Sequence, residues 1–285
     1  MIQLFGKRWG EQTGQPVIAV HGLLDNLSSF DRLLPVIDVP SVLCLDLHGH
    51  GQSSHLPKGI SINFNDYLLH IRYLLKHLYK WDKDLVFMGH SFGSILLFTY
   101  AAIYPDEVSK MINIDCARFR NAIKINKFIK ETRRSADDYL LAEKETELSG
   151  FTFEECLSHM VNVRNSIRLP VSRESCKVLL SRGTCNLGNG KYYFSHDKRL
   201  KAYSFGRNTF LYNKALASRI KCKVLNIHAI GGINTEEYGL EEDKHMKIMS
   251  ENCESCLNLV LEGGHHIHLE TPEAVAPHIN KFLNS

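Results

Sequence analysis

The sequence predicts an α/β fold: a mostly parallel central sheet with helices on both faces and one inserted helical cap. Three observations predict it. Short apolar runs recur between helical patterns, those runs lack polar alternation, and their recurrence stops once, from Cys116 to about Ile220. Continuous apolar runs of four or five residues suit strands covered on both faces. Strands alternating with helices suit a parallel sheet wound with helices.

Taken in order, Ile2–Phe5 is a first strand-like segment, followed by Pro16–Val20, Val42–Leu45 and Leu85–Met88. Asp66–Lys80 carries Leu68, Ile71, Leu75 and Leu78 at helical spacing, and Phe92–Tyr104 reads as a second strong helix. Met111–Ile114, Val224–Ile227 and Leu257–Leu261 complete the strand set. Residues 116–220 read as helices and loops lying between two sheet strands. They are therefore expected to form the cap, with 1–115 and 221–285 making the core.

Composition excludes several classes. A chain of 285 residues, 44% hydrophobic and 23% charged, is ordinary for a globular enzyme-sized protein. The net charge of +3, from 34 basic and 31 acidic residues, is too small for a nucleic-acid footprint. Ser94–Tyr104, the longest apolar stretch, falls well short of the ~18 residues that suggest a membrane span. The start, MIQLFGKRWGEQ, has no signal-peptide core, and Leu283-Asn284-Ser285 is not the usual peroxisomal tripeptide. An intracellular, cytoplasmic protein is expected, with its eight cysteines reduced. Cys253 and Cys256 form one CxxC without a second ligand pair, and read as two incidental thiols in a turn.

The chemistry concentrates in three stretches. Gly89-His90-Ser91-Phe92-Gly93 follows an apolar strand and opens a helix, the setting that makes Gly-x-Ser-x-Gly a nucleophile elbow. A serine hydroxyl needs a base, and His265, after the Gly263-Gly264 turn, is free to reach over the sheet. His268, opening the next helix, is expected to pack or bond locally. His265-His266-Ile267-His268 lacks the carboxylate or cysteine partners of a metal site. His21-Gly22-Leu23 follows the first core strand, and the backbone N–H groups of Leu23 and Phe92 are the expected oxyanion donors.

These residues resemble the α/β-hydrolase superfamily, and more closely its serine hydrolase-like proteins of the kraken type. The resemblance rests on HGLLDNLSSFDRLLP (21–35), LDLHGHGQSS (45–54), GHSFGS (89–94), PDEVSKMINID (105–115) and GGHHIHLETPEAVA (263–276). Within the cap, LLSRGT (179–184) and Asp197-Lys198-Arg199-Leu200 look like that family's own motifs. The resemblance implies a capped serine hydrolase of carboxylic-ester type, with no cofactor and no metal. It links relatives with peroxisomes and vesicles. It also suggests that the chain begins late, with one strand where relatives have a hairpin.

One element departs from the pattern. The family's acid is an aspartate after the strand placed at Val224–Ile227, where this chain reads NIHAIGGINTEE (226–237). Asn234 and Thr235 occupy the position, and neither carries a charge. Three readings stand: Glu236 or Glu237 one or two residues late, Asp115 from the neighbouring strand end as some α/β hydrolases do, or a Ser–His dyad with Asn234 or water holding the imidazole.

Cap residues Tyr192, Tyr193, Phe194, Tyr203, Phe205, Phe210 and Tyr212 are read mainly as cap core. They suggest a small ester substrate with an apolar part, thioesters or amides included. The rival function is a feeble or inactive hydrolase fold that binds a ligand or partner.

Overall fold

The computed structural model describes residues 2–116, 125–144, 150–202, 209–233 and 239–285. Its seven-stranded sheet runs β1-β3-β2-β4-β5-β8-β9. The strands are β1 (Gly6–Gly10), β2 (Val17–Val20), β3 (Ser41–Leu45), β4 (Leu85–His90), β5 (Val108–Ile114), β8 (Lys223–Gly231) and β9 (Ser255–Gly264). β1 pairs antiparallel with β3, and every other pairing is parallel. The predicted core strands are present, most of them extended by a few residues. The first is displaced: Ile2–Phe5 is not a strand. Its backbone is spent on the 46–54 loop, through Phe5 to the Ser53 hydroxyl and the Asp46 amide and through Gln3 to Ser54.

Side chains alternate between the two faces, as a period of two requires. Ile18 and Val20 face one cluster, with Tyr67 and Ile71 of α1 (Phe64–Tyr73), Leu96 and Tyr100 of α2 (Phe92–Ile103), Leu216 of α6 (Phe210–Ala217) and Met249 of α7 (Gly239–Asn252). Val17 and Ala19 face the other, with Phe30, Leu33 and, from α9 (Pro272–Leu283), Val275, Ile279 and Phe282. The predicted Asp66–Lys80 helix is regular only in α1. Asn63 caps it with Asp66 in a reciprocal box, and Leu74–Leu78 then widens into a π turn.

Between β5 and β8 lie α3 (Ile125–Lys144), α4 (Phe153–Ser166) and α5 (Arg173–Gly183), then a hairpin of β6 (Thr184–Gly188) and β7 (Lys191–Phe194). The hairpin corrects the expectation of helices and loops alone. Its signal was Asn189-Gly190 at the turn with Tyr192, Tyr193 and Phe194 after it, since Asn-Gly favours the positive φ both residues adopt. Tyr192 and Phe194 pack on the cluster of Cys156, Leu157, Cys176, Leu179 and Leu180, whereas Phe210 and Tyr212 sit on α6. Tyr203 and Phe205 lie outside the described residues.

Charged pairs seat these helices on the sheet. Arg182 donates to Asp46 at 2.6 Å, and Asp46 also accepts from the amides of Leu27 and Gln52. Arg199 grips Asp197 and reaches the carbonyls of Leu56, Pro57 and Ile60. Both arginines belong to the two cap motifs singled out in the sequence.

The chain leaves β2 for β3 on one side and returns to β4 on the other. The ends of β2 and β4 therefore flank a topological switch point, where parallel sheets open a crevice at their carboxyl ends.

Candidate active site

The crevice is built by four strand ends, those of β2, β4, β5 and β9. Ser91 follows β4 with φ 52° and ψ −115°, a left-handed φ that non-glycine residues rarely adopt and that costs about 1–3 kcal/mol. The elbow closes only because its neighbours are glycines. A Cβ on Gly89 would lie 2.5 Å from the Ser94 backbone, and one on Gly93 would lie 2.1 Å from the Val20 carbonyl oxygen. That second approach presses the first turn of α2, which carries the Phe92 amide, against the end of β2.

The loop after β2 is fixed by His21. Its Nδ1–H donates to the Gly22 carbonyl at 2.7 Å, and its Nε2 accepts from the Leu47 amide at 3.1 Å. Burial lowers its pKa, so the ring is neutral and both nitrogens are used. Leu23 stands two residues further on, half-buried, and packs against the cluster that includes Phe92.

His265 follows β9 and is buried, with Nδ1 2.6 Å from Oδ2 of Asp115. Asp115 follows β5, is fully buried, and also has a left-handed φ of 52°. Its amide donates to the Ile227 carbonyl at 2.7 Å. Its carboxylate accepts from the amides of Ala229 at 2.8 Å and Ile233 at 2.9 Å. The stretch that lacks an acid thus supplies the donors that hold a carboxylate from the neighbouring strand. Gly232 makes room for it: a Cβ there would sit 2.2 Å from both carboxylate oxygens. Burial pushes the Asp115 carboxyl up to about 6, against the pull of the two amide donors. Of its rivals, Glu236 and Glu237, with Asn234 and Thr235, lie outside the described residues.

Behind this pair lies a second polar group that sequence reasoning missed. Asp25 is 3% exposed and is paired through Oδ1 with Arg164 of α4. Through Oδ2 it accepts from His266 Nε2 at 3.1 Å and faces His90 Nδ1 at 3.7 Å. His90 Nε2–H in turn donates to the His265 carbonyl at 2.9 Å. Burial works against ionised Asp25, but Arg164 and then His266 hold its carboxyl well below the usual range. Burial, with His265 and His266 beside it, keeps His90 neutral. The one signal was Asp25 directly after the apolar pair Leu23-Leu24. Among the described residues, Asp25, His90 and His266 are the group whose ligand atoms lie close enough to share a metal ion, within 4.8 Å of one another. Arg164 already meets the charge there. His268, on α8 (Ile267–Glu270), packs its buried ring 4.2 Å from His90 and 5.2 Å from Phe30.

A separate cavity of about 910 Å³ lies among α3, α4 and the hairpin, lined by Phe151, His159, Tyr193, Phe194, Lys198 and Lys201. Cys253 and Cys256 stand at the start of β9, the end of the sheet opposite Ser91, where Cys256 accepts from the Asn226 amide group at 3.6 Å. No helix among the described residues is long and apolar enough to cross a membrane.

Comparison with known proteins identifies the family and the fold. Residues 15–145 match the family model described as alpha/beta hydrolase fold. A Drosophila melanogaster protein named "Probable serine hydrolase" is 37% identical over 97% of this chain and 83% of its own length. Human "Serine hydrolase-like protein 2" is 29% identical over 97% of this chain and 89% of its own. The crystal structure of a hypothetical protein from Pseudomonas aeruginosa covers all of this chain and 96% of its own, with a TM-score of 0.82 and 26% identity. The chain belongs to the α/β-hydrolase fold family, among its serine hydrolase-like proteins.

Proposed function

We propose that the protein is a serine hydrolase that cleaves carboxylic esters, with thioesters or amides as related substrates, through an acyl-enzyme. Ser91 is the nucleophile, His265 the base and Asp115 the acid. Leu23 and Phe92 donate their backbone N–H groups to the oxyanion. The observation that carries this reading is the 2.6 Å contact of His265 Nδ1 with Asp115. A proton on Nδ1 leaves Nε2 as the basic nitrogen, the state a general base requires.

As the Ser91 oxygen bonds to the substrate carbonyl carbon, its proton passes to Nε2. The carbonyl electron pair moves to oxygen, where the two amides and the N-terminal end of α2 offset the charge. Collapse expels the alcohol, which takes the proton from the imidazolium. A water molecule then repeats the sequence and releases the acid. Residues 116–220 are read as the cap over the site.

A ligand-binding protein without activity was the rival, motivated by the missing acid at Asn234-Thr235; the Asp115 contact favours the enzyme. The test is labelling with a fluorophosphonate probe, which reports an activated serine. Wild type should label, and Ser91→Ala and His265→Ala should not. An unlabelled, folded wild type would overturn the proposal.

A further inference from the structure

We infer that Arg164, on a helix between β5 and β8, is a positioning residue for the Ser91–His265 site and acts through Asp25. The inference rests on the proposed hydrolase reading and adds a control point to it.

Asp25 contacts the chain neighbours of the site residues rather than the site residues themselves. It sits in the loop that carries Leu23, accepts from His266, which is joined to His265, and faces His90, which is joined to Ser91. A Cβ on Gly22 would come within 3.0 Å of both Asp25 Oδ2 and His90 Nδ1, so this contact is tight. The guanidinium of Arg164, with its side chain 11% exposed, is the formal cation bonded to that carboxylate.

A neutral histidine has one N–H to give. His90 spends its own on the His265 carbonyl, and its Nδ1 has no hydrogen-bond partner. That bare nitrogen faces Asp25 at 3.7 Å, an arrangement that holds only while another cation satisfies the carboxylate. Without Arg164, Asp25 competes for the His90 proton or draws a second proton onto His90. The first change releases the His265 carbonyl. The second places an imidazolium beside the His265 ring, whose centroid is 4.6 Å from that of His90. Either one weakens His265 as a base and leaves substrate contacts elsewhere unchanged. Seating of α4 thereby becomes a condition for an ordered catalytic histidine.

The test compares Arg164→Ala with Arg182→Ala, which removes another partly buried cation that seats the cap on the core through Asp46, with no contact to His265. Folded fractions are matched by circular dichroism. Arg164→Ala should lower kcat and the fluorophosphonate labelling rate by about 10- to 100-fold, with KM for a short ester within about twofold, the scale of a misplaced catalytic group. The far-downfield proton resonance of the His265–Asp115 hydrogen bond should shift or vanish in Arg164→Ala and persist in Arg182→Ala. Should Arg164→Ala fail to fold, Arg164→Lys decides: the charge without the planar fork should give a smaller loss of kcat with the same unchanged KM. Equal kcat losses in the two alanine variants, or an unmoved resonance with wild-type labelling in Arg164→Lys, would overturn the inference. A wild type that does not label would instead overturn the hydrolase reading.

Discussion

Replacing Asp115 by asparagine leaves the volume of the side chain intact and changes only its charge and one acceptor. Three donors converge on the native carboxylate: Ala229 N–H on Oδ1, and Ile233 N–H with His265 Nδ1 on Oδ2. Asparagine offers one oxygen and one NH₂. With the oxygen at the Oδ2 position, His265 keeps its tautomer, but the Ala229 amide faces a donor. The His265 imidazolium then also loses its anion. With the amide reversed, the NH₂ points at Nδ1 and the ring moves its proton to Nε2, where it cannot accept from Ser91. An amide left without its acceptor costs about 1–3 kcal/mol, partly offset by removing a buried charge. The reversed orientation corresponds to the tautomer error that lowers turnover by ~10⁴-fold in a serine protease, or about 5.5 kcal/mol of barrier. Asp115→Asn should therefore lower kcat on an activated ester by about 10²- to 10⁴-fold while thermal unfolding moves little. A loss below about threefold in a correctly folded variant would refute the assignment of the acid and return attention to Glu236 and Glu237.

Further outcomes follow from the same geometry. Gly232→Ala places a Cβ 2.2 Å from the Asp115 oxygens and should push the carboxylate off His265. A displacement near 1 Å predicts about a 10²-fold loss of kcat/KM, and unchanged kinetics would contradict it. Gly93→Ala, whose Cβ would lie 2.1 Å from the Val20 carbonyl, should destabilise the protein by more than about 4 kcal/mol or prevent folding, read by urea denaturation. In a pH profile, kcat/KM should fall on the acid side of about 6, because burial raises the Asp115 carboxyl to that value and its protonated form no longer stabilises the imidazolium. In Asp115→Asn the contribution of that carboxyl to the acid limb should disappear.

The strands were legible because each is an unbroken apolar run between turns, and the elbow because strand, Gly-x-Ser-x-Gly and helix adjoin in the chain. His265 was legible from chain order and its glycine turn. The proposed acid, Asp115, was legible only as one of three readings, because its position depends on which strands neighbour one another. Asp115 and His265 stand 150 residues apart and meet through the β5–β8–β9 order, which no local pattern states. The sequence also hid what NIHAIGGINTEE contributes, since its Ala229 and Ile233 donors are backbone groups that any residue type could offer. The β6–β7 hairpin was readable from Asn189-Gly190 and was overlooked amid helical neighbours. The Asp25–Arg164 pair joins the loop after β2 to a helix 139 residues away, beyond the reach of spacing arguments.

The central claim is that Ser91 carries the acyl group. Rapid mixing of the wild type with a p-nitrophenyl ester, quenched and digested for peptide mass analysis, tests it most directly. A burst of nitrophenol is expected, with the acyl mass on the peptide containing Ser91 and neither signal in Ser91→Ala. Ester turnover that persists in Ser91→Ala, or an acyl group found on another residue, would contradict it.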